Sequence, residues 1–244
     1  MQDRLTETDQ RLPMYQRVKD ALTQRLAEGE WSRAEPLPSE TVLAAEYGVA
    51  IGTVRKALEG LVAEGLLERQ QGRGTFLRRP SFGNALFRFF RLSDGSGAIV
   101  PPRARILSRT IGQDEERART LGLNPAAPLL VLFRERSIQD RPALVEEIAL
   151  DAARFQPLST LPLDAFGDLL YPLYEEVCGL LVVRAAETIR FSQATPPIAA
   201  ALNIPTGTAT AVIDRIAYGI DARPLEWRRS HGEAARFNYT IDLR

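Results

Sequence analysis

Apolar residues recur at helical spacing in two short windows between residues 39 and 64. In the first, Val42, Leu43, Ala44, Ala45 and Tyr47 follow Ser39-Glu40. Serine in that place caps a helix, because its hydroxyl accepts one of the first free backbone N–H groups. Pro36 and Pro38 block an earlier start, and Gly48 supplies a left-handed stop without a Cβ clash. The second window starts at Gly52 or Thr53 and runs to Glu64, with Val54, Ala57, Leu58, Leu61 and Val62 on one face. Thr53, Arg55, Lys56 and Glu59 lie off that stripe. Two short helices joined by a glycine turn predict a helix-turn-helix whose second member can enter the major groove.

Beyond Gly65 the period changes. Leu66-Leu67-Glu68 and Thr75-Phe76-Leu77 read as two strands around Gln70-Gln71-Gly72-Arg73-Gly74, a glycine-rich hairpin tip carrying an arginine. Such a wing reaches phosphate or the minor groove beside a recognition helix.

The pattern after residue 102 predicts strands at 104–111, 129–139, 143–150, 181–191, 208–218, 224–230 and 237–243. Helices are predicted at 114–121, 168–177 and 196–202. Turn signals such as Gln139-Asp140-Arg141-Pro142 and Gly219-Ile220-Asp221-Ala222 favour antiparallel hairpins. The fold class is therefore α+β: a winged helix-turn-helix followed by an antiparallel sheet with helices packed on it.

Length and composition change this picture in one respect. A chain of 244 residues accommodates two modest domains. We expect a winged helix-turn-helix domain over residues 1–79, a linker over 80–102 rich in Ser, Gly and Pro, and a second domain over 103–244. The linker contains the apolar run Leu86–Leu92, read as a strand or docking segment.

Charge matters locally. The whole chain carries 31 basic and 31 acidic residues. Residues 1–49 hold six basic and nine acidic groups, while residues 50–80 hold six and three, so positive charge gathers on the second helix and the wing. The lone Cys178 excludes an intrachain disulfide and a cysteine-built metal site, and its apolar neighbours make it a small core residue. The first residues, with Asp3, Arg4, Glu7 and Asp9, do not resemble a signal peptide. The apolar stretch Leu129–Phe133 is far too short to span a bilayer. A soluble cytoplasmic protein, with no membrane partner, no cofactor and no metal, is the expectation.

Residues 13–77 resemble the DNA-binding domain of the GntR family of bacterial transcription regulators. The likeness rests on Pro13-Met14-Tyr15, Leu37-Pro38-Ser39-Glu40, Leu43-Ala44, Gly48-Val49, Thr53-Val54-Arg55-Lys56-Ala57-Leu58, Glu64-Gly65-Leu66-Leu67 and Gln71-Gly72-Arg73-Gly74-Thr75-Phe76. It implies a double-stranded operator as partner, contacted by Ser39, Thr53, Arg55 and Lys56 and by Gly72, Arg73 and Gly74 of the wing. Many relatives have Ser-Arg where this chain has Ala50-Ile51, so one polar contact of the family is replaced.

Residues 102–244 resemble the UTRA ligand-sensing domain of the HutC-type branch of that family, which shares a fold with chorismate lyase. The matching pieces are Phe133-Arg134-Glu135-Arg136, Arg141-Pro142 with Glu146, Leu170-Tyr171, Ala199–Leu202 with Pro205 and Gly207, and Arg223-Pro224-Leu225-Glu226. The resemblance implies a homodimer whose operator affinity changes when a small molecule binds, with Arg134, Arg136, Glu146, Tyr171 and Glu226 at the effector. A repressor follows by default, since a dimer on a palindromic site blocks polymerase. An enzyme of chorismate-lyase-like fold fused to a DNA-binding domain is the alternative.

The chemistry of that region is legible from alternation. Arg134 and Arg136 share a strand face with Leu130 and Leu132, and Glu146 shares one with Leu144, Ile148 and Leu150 across the proposed hairpin. Guanidinium groups continuing an apolar stripe need an anionic partner. A structural Arg–Glu pair and an anion site for phosphate or carboxylate both meet that need. Sugar-phosphate sensors of this branch carry Ser where this chain has Leu169, and a Tyr-Arg-Gly-Asp-type stretch where it has His231–Arg236. An organic acid therefore stands beside a phosphorylated sugar as the expected effector. His231, the one histidine, reads as structural.

Overall fold

The computed structural model describes residues 11–31, 35–78 and 102–237, and the chain divides near Pro80 into two compact units. The first holds α1 (Met14–Ala27), α2 (Glu40–Tyr47), α3 (Ile51–Ala63), β1 (Leu67–Gln70) and β2 (Gly74–Leu77). Helix α1 has no counterpart among the predicted elements. It starts behind Pro13, whose carbonyl accepts the N–H groups of Gln16 and Arg17 at 2.8 and 3.2 Å. It buries Val18, Ala21, Leu22 and Leu26 along one face, with Arg25 among them.

The capping of α2 is as the sequence predicts. Ser39 Oγ accepts from the Val42 N–H at 3.3 Å, and Gly48 ends the helix at φ +64°. Helix α3 begins at Ile51, slightly ahead of the predicted start, because the Ala50 carbonyl already accepts from Thr53 at 2.9 Å. Val54, Ala57, Leu58 and Leu61 form its buried stripe. Burying each Val or Leu contributes roughly 1.5–3 kcal/mol, which fixes the face that α3 leaves outward. Strand β1 runs Leu67–Gln70, shifted toward the tip from the expected 66–68, and pairs antiparallel with β2.

The second unit is a six-stranded sheet in the order β3-β4-β5-β8-β7-β6. Its strands are β3 (Arg103–Gln113), β4 (Pro128–Ile138), β5 (Arg141–Asp151), β6 (Val182–Gln193), β7 (Ala209–Gly219) and β8 (Pro224–Glu233). Helices α4 (Glu115–Thr120), α5 (Leu170–Cys178) and α6 (Pro196–Leu202) and 3-10 turns at Gln156–Ser159, Leu163–Phe166 and Ala234–Arg236 complete it. The β4–β5 hairpin closes through Gln139 and Asp140, both at positive φ (+49° and +59°). A two-residue turn with that geometry matches the twist of the flanking strands.

Alternation divides the sheet into two faces. One carries Leu130, Leu132, Ile148 and Leu150 and packs beneath Phe155, Leu158 and Phe166 and beneath Leu170 and Tyr174 of α5. The other packs Leu129, Ala149 and Trp227 against Leu121. The segment 86–92, the linker up to residue 101 and the strand expected at 237–243, apart from Phe237, lie outside the described residues.

Candidate functional site

In the first unit the outward side of α3 and the wing tip carry the polar groups singled out in the sequence. Arg55 is half exposed, and its Nε donates to Glu40 Oε2 at 2.9 Å. The other oxygen, Glu40 Oε1, accepts from Arg69 Nη2 on β1 at 3.4 Å. Lys56 Nζ lies 4.1 Å from the centre of the Tyr15 ring, a cation–π contact from α3 to α1. Thr53 is partly exposed beside them, in the first turn of α3.

At the wing tip Arg73 Cζ lies 5.7 Å from the Phe76 ring. Gly72 and Gly74 have φ of +72° and +117°. A Cβ on Gly74 would come within 3.1 Å of Pro36 Cβ, so glycine is required there twice over.

A buried charge that sequence reading missed braces this unit. Arg25 donates to both Glu30 oxygens at 2.7 and 2.5 Å, to Glu46 at 2.9 Å and to the Tyr47 hydroxyl at 3.0 Å. Its guanidinium also stacks 4.3 Å from the Trp31 ring. It thereby ties α1 to the end of α2.

In the second unit, β4, β5 and β8 bring Arg134, Arg136, Glu146 and Glu226 onto one face of the sheet, and α5 brings Tyr171 to it. Arg134 and Glu146 are direct cross-strand partners. Arg134 Nε donates to Glu146 Oε2 at 2.6 Å, and both side chains are buried. Ser230 Oγ donates to Glu146 Oε1 at 3.2 Å, with Arg228 Nη1 3.5 Å from the same oxygen. Glu226 is equally occupied: Tyr171 donates to Oε1 at 3.1 Å, while Tyr174 and Arg228 donate to Oε2 at 2.7 and 2.8 Å. Arg215 donates from Nε to Glu187 at 2.6 Å and from Nη1 to Tyr171 at 3.3 Å. Arg136 is 4 % exposed on the same face.

Arg215, Arg228, Tyr174, Glu187 and Ser230 did not emerge from the sequence as site residues. Arg228 and Ser230 follow Glu226 at the alternation of a strand, and that period was the signal that would have found them.

Burial and charge shift the titrations of the group. Burial works against the Glu146 charge, but Arg134, Arg228 and Arg136 outweigh it and hold the carboxyl well below the usual carboxylate range. Burial is also the largest influence on Arg136 and, despite attraction from Glu146, brings its pKa down to about 10. Burial and the nearby Glu226 push the Tyr174 hydroxyl well above its ordinary value. Among the buried donors of this face, Arg134 Nη1 and Arg228 Nε have no hydrogen-bond partner. A buried donor left unsatisfied costs about 1–3 kcal/mol, and more on a charged group, and anions satisfy such a donor strongly.

Two cavities adjoin the sheet. One of about 430 Å³ lies where β3 meets the 3-10 turn before α5, lined by Ala104, Ile106, Ser137, Phe166 and Gly167 among others. The second, about 800 Å³, opens on the opposite face over Val131, Phe133, Glu147, Arg229 and His231. Among the described residues no cluster of His, Cys, Asp and Glu could hold a metal, and no helix is long and apolar enough to cross a membrane.

Residues 14–77 match the profile of the bacterial regulatory proteins of the gntR family, and residues 100–238 match the UTRA domain. The chain is a GntR-family transcription regulator of the HutC type. The HTH-type transcriptional repressor NagR of Bacillus subtilis is 29% identical to it over 93% of each chain. The HTH-type transcriptional regulator SmoD of Agrobacterium fabrum is 32% identical over 73% of this chain and 74% of its own. The crystal structure of the ligand-binding domain of a putative GntR-family regulator from Bordetella bronchiseptica superposes with a TM-score of 0.59 at 28% identity, covering 64% of this chain and 96% of that one. The GntR regulator is thus a DNA-binding protein with a small-molecule-sensing domain, and its family and relatives are regulators rather than enzymes.

Proposed function

We propose that this GntR regulator is a homodimeric repressor whose hold on its operator is changed by a small anionic metabolite. Ser39, Thr53, Arg55 and Lys56 contact the operator from the helices, and Gly72, Arg73 and Gly74 contact it from the wing. The repressor assignment is supported by the name of the Bacillus subtilis relative and by the blocking effect of a dimer on a palindromic site.

One observation carries the effector reading: Arg134 Nη1 and Arg228 Nε are buried donors without acceptors on either side of Glu146. Both carboxylates at the centre are already filled by protein donors, so recognition falls to N–H groups, which call for phosphate or carboxylate. Arg134 serves both roles considered from the sequence. Its Nε and Nη2 hold Glu146, and its Nη1 is free for the ligand. Arg136, Glu146, Tyr171 and Glu226 shape the site around that anion. A phosphorylated sugar and an organic acid both supply it.

A thermal-shift panel of phosphorylated sugars and small carboxylates tests this reading. Ligand at a hundredfold its Kd stabilises the native state by about 2.7 kcal/mol. The panel should yield at least one anionic compound that raises Tm and weakens operator binding in parallel. Operator affinity that no compound moves would identify a DNA binder without effector control.

A further inference from the structure

An acidic residue stands in the middle of the DNA-reading surface. Glu40 is the first residue of α2, next to the Ser39 cap, and its carboxylate spans three elements. Oε2 accepts from Arg55 Nε on α3, and Oε1 accepts from Arg69 Nη2 on β1. The Arg55 and Arg69 side chains remain 55% and 46% exposed, against 28% for Glu40.

Two effects speak against an acid at this place. A carboxylate near phosphates opposes the counterion release that drives binding. As a stabilising element it does little, since exposed ion pairs are screened by solvent and contribute little to stability. Its distinctive effect is geometric. With Nε held by Glu40, Arg55 keeps its two terminal amino groups for an outside partner, and a long side chain rich in rotamers is restrained before binding. A terminal guanidinium fork matches O6 and N7 of guanine in the major groove. Arg69, on the other oxygen, offsets the Glu40 charge and fixes the carboxylate plane.

We propose that Glu40 is a positioning and specificity-determining residue, which holds Arg55 so that its fork reads a guanine edge. The inference rests on the proposed role of Arg55 at the operator. Electrostatics alone and positioning predict opposite outcomes for the loss of Glu40. Removing a negative charge should tighten binding to every duplex, whereas removing a clamp should erode the preference for the operator.

The experiment takes an operator selected by the full-length protein from random duplexes. It compares Kd on that operator and on random duplex for wild type, Glu40→Ala, Glu40→Gln and Arg55→Ala, with circular dichroism to confirm folding. Glu40→Ala should lower the specific-to-random ratio roughly tenfold, within the discrimination of one bidentate contact, while random-duplex affinity holds or rises. Glu40→Gln, whose amide oxygen still accepts from Arg55 Nε, should keep most of the ratio. If Arg55→Ala loses the ratio and Glu40→Ala keeps it, the positioning role is overturned and the Arg55 assignment stands. If Arg55→Ala keeps the ratio, both are overturned. Equal weakening of both duplexes by Glu40→Ala would make Glu40 a structural residue and also overturns the proposal.

Discussion

Arg215 on β7 and Arg228 on β8 stand directly opposite one another as cross-strand partners, and both are buried. Like charges in that relation repel, so the sheet face tolerates them because each has its own acid, Glu187 for Arg215 and Glu226 for Arg228.

That arrangement makes Glu226 sensitive to truncation. Glu226→Leu leaves Arg228 buried without its closest acid and should destabilise the fold by about 3–5 kcal/mol, read as a fall in the urea midpoint. The double variant Glu226→Leu/Arg228→Met should recover part of the loss, because no uncompensated charge remains. A double variant less stable than the single one would show that the pair contributes more than charge compensation.

Stability should fall on acidification in two separate stages. Burial, then Arg229, lowers the His231 pKa below 6.5, so the unfolded chain takes up that proton first. The contribution of this group is complete above pH ~6.5 and is lost as pH falls through the lowered folded value. The Glu146 carboxyl is also depressed in the fold, so its contribution is complete above pH ~4.5 and disappears on further acidification. Urea midpoints of His231→Gln should lack the first decline and keep the second. A wild-type midpoint that stays constant from pH 7 into the first stage would contradict the His231 assignment.

Arg55→Ala should weaken operator binding by about 1–3 kcal/mol while affecting random duplex much less. Titrations by fluorescence anisotropy check this directly. A loss of the same size on both duplexes would place Arg55 on phosphate.

Gly74→Ala should destabilise the wing by more than about 1 kcal/mol, because φ is +117° and the new methyl meets Pro36. Gly72→Ala, at φ +72° with open space around it, should cost less stability. Thermal unfolding of the two variants gives the order.

Much of the fold was legible because each unit repeats a simple period. Ser39, Gly48 and the Val54–Leu61 stripe spelled two helices, and the alternation Leu130-Leu132-Arg134-Arg136 against Leu144-Glu146-Ile148 gave both a hairpin and its facing charges. Helix α1 escaped because its stripe of Val18, Leu22 and Leu26 is sparse and is continued by Arg25, which reads as surface until Glu30, Glu46 and Tyr47 close around it. Arg215, Arg228 and Glu187 escaped for a different reason. Glu187 on β6 meets Arg215 on β7 from 28 residues away, and Arg228 comes opposite Arg215 in the β7–β8 hairpin only in a register that the irregularity at Ala217/Tyr218 shifts. Glu40 reads as a helix-start acid, and its contacts with Arg55 and Arg69 depend on how the wing folds back.

In the proposed function, an anion gripped by the buried arginines controls the operator. Arg134→Lys retains a positive charge beside Glu146 and removes the guanidinium fork with its Nη1 donor. Operator affinity of wild type and Arg134→Lys, measured with and without an anionic compound that stabilises the wild type, decides whether the buried guanidinium carries the signal. Equal affinity is expected without the compound, and at least tenfold weakening in wild type alone on its addition. A variant that responds to the compound at the same concentration and to the same extent as wild type would contradict the proposed function.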